Sequence, residues 1–253
     1  MKDKAIKWAA IAGAALFCCG LPAVAQQVVS VQFTGGYTGL FAITSGTYAG
    51  YDAGAGVYTA TINGQSSPGI ICDDFNDEIT TGETWNANAY QASTLVSSGT
   101  LDSTLFGKTI GVQGYAEVAV LVSALFAYPN GVGGITPGEL SSAIWDITTP
   151  GGITGLDATA TAIVNYVEGL FGVGSGSTAA QITAATNYLA SLTNLWILTP
   201  DPLTGVGSGE PQEMWTSVPE GGAALMYLLL AGFSCFGAMF INARRRTEGL
   251  VRA

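Results

Sequence analysis

The sequence predicts an α+β domain held between two apolar terminal segments. Three observations predict it: short apolar runs broken by glycines up to about residue 75, helix-period apolar positions from 115 to 192, and a last strand-like run at 195–199. Strands, then helices, then a strand is the order of a domain whose helices cover a mostly antiparallel sheet. Val28 to Phe33 opens the β-rich part, and Gly35, Gly36, Gly39, Gly46, Gly50, Gly54 and Gly56 punctuate the runs that follow. Val57 to Ile62 alternates between two faces and meets Asn63-Gly64, a strong signal for a two-residue hairpin. The return strand is expected over Gly69 to Phe75.

The middle of the chain changes period. Tyr115 to Tyr128 is apolar on nearly every side, which predicts a buried helix stopped by Pro129-Asn130-Gly131. Thr136-Pro137-Gly138-Glu139 reads as a capping box with Pro at the first helical position. Leu140, Ala143, Ile144 and Ile147 then share one face. Helices are expected over Asp157 to Phe171 and Thr178 to Leu192, then a final strand from Leu195 to Thr199 and a stalk. The expected layout is a signal segment 1–25, a domain 26–200, a linker 201–217, a terminal signal 218–246 containing an apolar helix 223–241, and a tail 247–253.

Charge narrows the function. Only 10% of the 253 residues are charged, for a net −10, and the basic ones sit at the ends: Lys2, Lys4 and Lys7, then Arg244, Arg245, Arg246 and Arg252. Between Gln26 and Pro219 the single basic residue Lys108 faces fifteen acids. Nucleic-acid binding needs the opposite balance and is excluded. There is no histidine, which removes Ser-His-Asp and Cys-His catalysis and His-based zinc sites. Of four cysteines, Cys18, Cys19 and Cys235 fall in the apolar ends and Cys72 stands alone in the domain. No disulfide framework follows from that.

The ends read as addresses. A basic start, an apolar stretch from Trp8 to Leu21 and the small-x-small site Ala23-Val24-Ala25 make a secretory signal that leaves Gln26 first after signal peptidase. At the other end, Ala223 to Ile241 is nineteen uncharged residues, enough to span a bilayer, and Arg244, Arg245 and Arg246 hold its far side in the cytoplasm. Val218-Pro219-Glu220 stands just before that run. This motif, span and arginine cluster resemble the PEP-CTERM sorting signal of Gram-negative bacteria, over about the last 36 residues. Gly221 replaces the proline that commonly follows Val-Pro-Glu. The resemblance implies recognition and cleavage by an exosortase-type membrane peptidase, and export through the inner membrane to the cell surface or medium. It also implies an association with exopolysaccharide. An ordinary membrane anchor is the competing reading.

Three candidate sites lie in the domain. Cys72, in Gly69-Ile70-Ile71-Cys72-Asp73-Asp74-Phe75, and the later Ala143-Ile144-Trp145 together resemble Cys-Gln thioester domains of Gram-positive adhesins. The position matching that family's Gln is Ser141, which implies a related fold without the thioester. Gln91 and Gln113 are the alternatives. Asp73, Asp74, Asp77 and Glu78 are the densest acidic cluster. Oxygen ligands of this kind suit extracellular calcium, although the spacing is not that of an EF-hand, and a solvated loop is the other reading. No other cofactor is expected. Trp85, Tyr90, Trp145 and Trp196 offer rings for sugar stacking, with Trp145 and Trp196 placed in apolar, core-like runs. The expected role is therefore a non-catalytic surface or matrix protein. The alternative is an extracellular glycan-acting enzyme using paired carboxylates, which needs no histidine.

Overall fold

The computed structural model describes residues 27–43, 50, 52–151, 156–172, 177–203 and 211–218. The signal segment with Ala23, Ala25 and Gln26, the apolar run 223–241, Pro219, Glu220 and Arg244 to Arg246 lie outside the described residues.

The chain mixes strand and helix in the predicted order. Strands β1 (Gln27–Gly35), β2 (Gly39–Ala42), β3 (Asp52–Ala55), β4 (Thr59–Ile62), β5 (Gln65–Ser66), β6 (Ile70–Cys72) and β7 (Thr84–Gln91) come first. Helices α1 (Gly107–Ala127), α2 (Pro137–Thr148), α3 (Ala158–Phe171) and α4 (Ala179–Ser191) follow, then β8 (Leu195–Pro200) and β9 (Met214–Ser217). Seven strands form one sheet in the order β5-β4-β1-β7-β8-β9-β6, and β2 and β3 form a separate hairpin. Every pair is antiparallel.

Local chemistry explains several elements. Asn63 and Gly64 both have positive φ, 51° and 76°, as the two-residue turn joining β4 to β5 requires. Thr136 Oγ1 accepts from Glu139 N at 3.1 Å while Glu139 Oε2 accepts from Thr136 N at 2.6 Å, closing the predicted capping box. Thr178 and Gln181 repeat the device at α4, and Asp157 caps α3. Leu140, Ala143, Ile144 and Ile147 are all buried on α2. Among the described residues α1 is the one helix long and apolar enough to cross a membrane. Its Tyr115, Ala116, Val118, Ala119, Val122 and Leu125 are buried in the core against α2, α3 and α4, as expected for the central helix of a domain.

Three strand assignments differ from expectation, the first being β7, for which the sequence reading offered no strand although it lies between β1 and β8. The hairpin's return strand is only Gln65–Ser66, because Pro68 cannot donate to a ladder and Gly69 turns away at φ 143°. Strand β6 then touches β4 only through the Tyr58–Ile70 bridge and pairs in register with β9, Ile71 opposite Trp215. The third difference concerns the expected linker. The expected linker 201–217 contains β9, which is inserted between β8 and β6, and Trp215 has no exposed surface. Four residues are too few to show a period, so this strand is defined by its partners rather than by its own pattern.

The sheet has apolar material on both faces. Ile71, Ile197 and Trp215 look toward the helices, while Val29, Val31, Phe33, Ile70, Cys72, Trp85 and Met214 form a second cluster on the opposite side. Strands β6, β8 and β9 are thus buried on both faces, whereas β1 alternates between buried and exposed residues.

Candidate functional site

The site grows from the end of β6. Alternation along Ile70-Ile71-Cys72-Asp73-Asp74 puts neighbouring side chains on opposite sides. Helix α2 fixes the strand end: Trp145 Nε1 donates to the Cys72 carbonyl at 3.2 Å and Thr148 Oγ1 to that of Asp73 at 2.6 Å.

Cys72 is buried, and its Sγ donates to the Asp74 carbonyl at 2.9 Å while Asp74 N approaches the sulfur at 3.3 Å. Burial, then Asp74 and Asp73, pushes the thiol pKa well up, so the reactive thiolate is disfavoured. Ser141 Oγ instead accepts from Gly56 N at 2.8 Å. Gln91 donates to the Thr193 carbonyl and Gln113 to that of Phe171. The amide that shares an acceptor with Cys72 is Gln212, whose Nε2 also donates to the Asp74 carbonyl, at 2.8 Å; the sequence reading did not single it out.

Asp73 turns into the core and joins an acid network. Its Oδ2 accepts from Trp215 Nε1 at 2.6 Å. Beside it, Glu213 accepts from Tyr115 OH at 2.6 Å, from Leu105 N at 2.8 Å and from Thr199 Oγ1. Both carboxyls are fully buried. Burial raises each pKa, and for Asp73 the nearby Glu213 adds to the rise. This pair ties β6, β9, β8 and α1 together.

Asp74 turns the other way. Its Oδ1 accepts from Asn76 N at 3.0 Å, but no N–H or hydroxyl reaches Oδ2. It faces the Asp77 carboxyl, with which it can bond only through a shared proton. Burial first, then that contact, lifts Asp74 to about 7. Asp74, Asp77 and Glu78 line one side of a cleft of about 730 Å³, and Asp52 of β3 lines another. The expected four-acid cluster is therefore split, Asp73 inward and the rest outward. Among the described residues no group of three Cys, Asp or Glu is arranged to hold a metal ion.

The cleft also has rings. Phe33, Tyr58 and Trp145 contribute from the buried walls, and Phe75 is half-buried. Tyr37 is the open one, 54% exposed. It rests on Gly54 of the β2–β3 hairpin, where an added Cβ would stand 3.0 Å from Tyr37 Cδ1. Tyr58 OH donates to the Gly54 carbonyl at 2.5 Å and holds that strand in place. Of the rings offered by the sequence, Trp85 and Tyr90 are buried in the two cores and cannot serve as open platforms, and Trp196 packs against the second cluster.

No protein-family model, curated protein or solved structure matches the chain. The cleft's size suits a small ligand or a short stretch of polymer. Its chemistry, one open aromatic face among carboxylates, suits a ligand with an apolar face and hydrogen-bond donors around it.

Proposed function

We propose that this is a non-catalytic exported protein of the cell surface or extracellular matrix, sorted by its Val218-Pro219-Glu220 signal through an exosortase-type system, and that its cleft binds glycan. The observation that carries the binding role is the Tyr37 ring laid on Gly54 beside Asp52, Asp74, Asp77 and Glu78. A sugar ring presents an apolar face for stacking and hydroxyl donors for carboxylates, and this wall offers both complements.

The hydrolytic alternative has paired carboxylates in Asp74 and Asp77. Their side chains are in direct hydrogen-bonding contact, nearer than the roughly 5–5.5 Å of a retaining pair or the roughly 6.5–9.5 Å of an inverting one. That contact favours binding over hydrolysis for this pair.

Binding is tested by retention of the purified full chain on immobilised exopolysaccharide from an exosortase-bearing host. Tyr37→Ala and Gly54→Ala should each abolish retention while the far-ultraviolet circular dichroism stays unchanged. Retention undiminished in both variants would sink the binding role. Sorting is tested separately by peptide mass spectrometry of the protein from that host. A chain starting at Gln26 and ending near Pro219 is expected, with Cys72 alkylated only after unfolding. Persistence of Arg244 to Arg246 in the mature protein would return the tail to an ordinary anchor.

A further inference from the structure

We propose that the glycan taken by the cleft is positively charged, a polymer bearing free protonated amino groups, and that neutral or acidic polymers are discriminated against. This rests on the glycan-binding reading above and adds the charge of the ligand to it.

Four carboxyl side chains line the cleft, and no basic residue does. Nor can one approach from elsewhere in the domain, since Lys108 is the single base between Gln26 and Pro219 and it lies in the first turn of α1. Asp52 and Glu78 stand exposed at the cleft, while Asp74 and Asp77 are buried behind them. Carboxylates so placed, with a low-dielectric wall at their back and no counter-charge, focus a negative potential into the opening.

Asp74 adds an independent sign. Its Oδ2 is buried without any donor, as Asp73 Oδ1 is in the core, and of the two aspartates Asp74 is the one that lines the cleft; there Gln212 and Tyr58 spend their donors on backbone carbonyls. A buried carboxylate oxygen with no donor is costly. An ammonium group brings three N–H donors and one positive charge, which answers both the missing donor and the crowding of Asp74 against Asp77. Tyr37, packed against Gly54 and about half open to solvent, adds an aromatic ring that attracts cations as well as stacking on sugars. A uronic-acid polymer finds an acidic wall here and no base to pair with.

The test measures binding of the purified full chain at about pH 6 to four probes: a de-N-acetylated glucosamine hexamer, the fully N-acetylated hexamer of equal length, a uronate hexamer, and spermidine as an amine without sugar. The de-N-acetylated hexamer should bind about tenfold or more tighter than its N-acetylated twin, with an affinity that falls as salt rises. The uronate should not bind. The double variant Asp52→Asn, Glu78→Gln should narrow the gap between the first two probes, weakening the de-N-acetylated hexamer more than its N-acetylated twin; a gap left at its full width would overturn the charge inference. Equal binding of the two glucosamine hexamers, or binding of the uronate, overturns the charge inference and leaves the glycan role standing. Failure of all three hexamers removes the glycan role itself. Spermidine binding as tightly as the amino sugar, unaffected by Tyr37→Ala, overturns the sugar part of the inference in favour of a bare amine site.

Discussion

Asp73 and Asp74 are adjacent in the chain and have opposite fates. Asp73 faces Glu213 in the core, where Trp215, Tyr115, Thr199 and Leu105 supply hydrogen-bond donors from four directions. Asp74 faces Asp77 at the cleft and accepts from Asn76 N, two residues away; each aspartate keeps one buried oxygen without a partner, Asp73 Oδ1 and Asp74 Oδ2. Two like-charged pairs one residue apart thus differ in what surrounds them, not in composition. The inner pair draws donors from four separate stretches of chain and acts as a structural tie. Asp74 draws its donor from the neighbouring Asn76 and borders the cleft.

The largest effect should come from breaking the inner tie. Glu213→Leu leaves the Tyr115 hydroxyl, the Thr199 hydroxyl and the Leu105 N–H buried without their acceptor, a loss of ~3–5 kcal/mol in urea unfolding. A loss under ~1 kcal/mol would mean that water fills the gap and that the network is not a tie.

Glu117 sharpens the comparison, because it is an acid fully buried in α1 with neither oxygen partnered. Burial, and to a lesser extent Glu168, raises it to about 8. A carboxyl whose pKa rises on folding keeps its proton in the folded chain after the unfolded chain has lost its own. Its contribution is therefore complete below the unfolded value and is lost as pH climbs to the folded one. For Glu117 that window runs from the ordinary 4.5 of an exposed glutamate to about 8, and for Asp74 from 3.8 to about 7. Asp73 and Glu213 shift in the same direction. The domain should accordingly be most stable near the acid end of this range, with a melting temperature that falls between pH 5 and 8. Glu117→Leu should stabilise by ~2 kcal/mol at pH 8 and much less at pH 5. A wild-type stability that rises with pH would mean these groups are held ionised.

The outer pair should give a smaller stability change. Asp74→Asn removes one of two crowded carboxyls, so stability at pH 8 should hold or rise by up to ~1 kcal/mol, and the pH slope below 7 should flatten. Binding of the amino-sugar hexamer should weaken at the same time. The equivalent change at the inner pair, Asp73→Asn, should destabilise. If both Asn variants behave alike, the contrast between the two pairs fails. Smallest of all is Tyr37→Ala, within ~0.5 kcal/mol of wild type in stability because the ring is half in solvent, yet deficient in binding.

What was legible in the sequence was local. The Asn63-Gly64 turn, the Thr136–Glu139 box and the apolar face at 140, 143, 144 and 147 rest on contacts within a few residues of one another, and each is present. Strand β9 was not legible, because Met214 to Ser217 becomes a strand only through β6 and β8. Half of the site went unseen for the same reason. Glu213 meets Tyr115 across 98 residues and Gln212 meets Asp74 across 138, and nothing near either residue announces its partner. The acidic cluster was visible as composition, but its division into an inward Asp73 and an outward Asp74 depends on the strand parity of β6. Tyr37 looked like one aromatic among many until Gly54 was placed beneath it.

The position of β9 has a consequence for when this chain can fold. Among the described residues it is the last strand in sequence yet interior in the sheet, and β6, some 140 residues earlier, has its ladder partner in it. Val218 N bonds to the Asn194 carbonyl at 2.8 Å, so the sheet is finished at the residue where the Val-Pro-Glu motif begins. A chain built this way cannot close its core until β9 has been delivered, because contacts of such long separation form late. In the export route proposed above, the strands ahead of β9 would therefore remain threadable during passage. Completion of the sheet would coincide with delivery of the proposed Val-Pro-Glu signal, so that a chain able to present that signal in full would also be one able to fold.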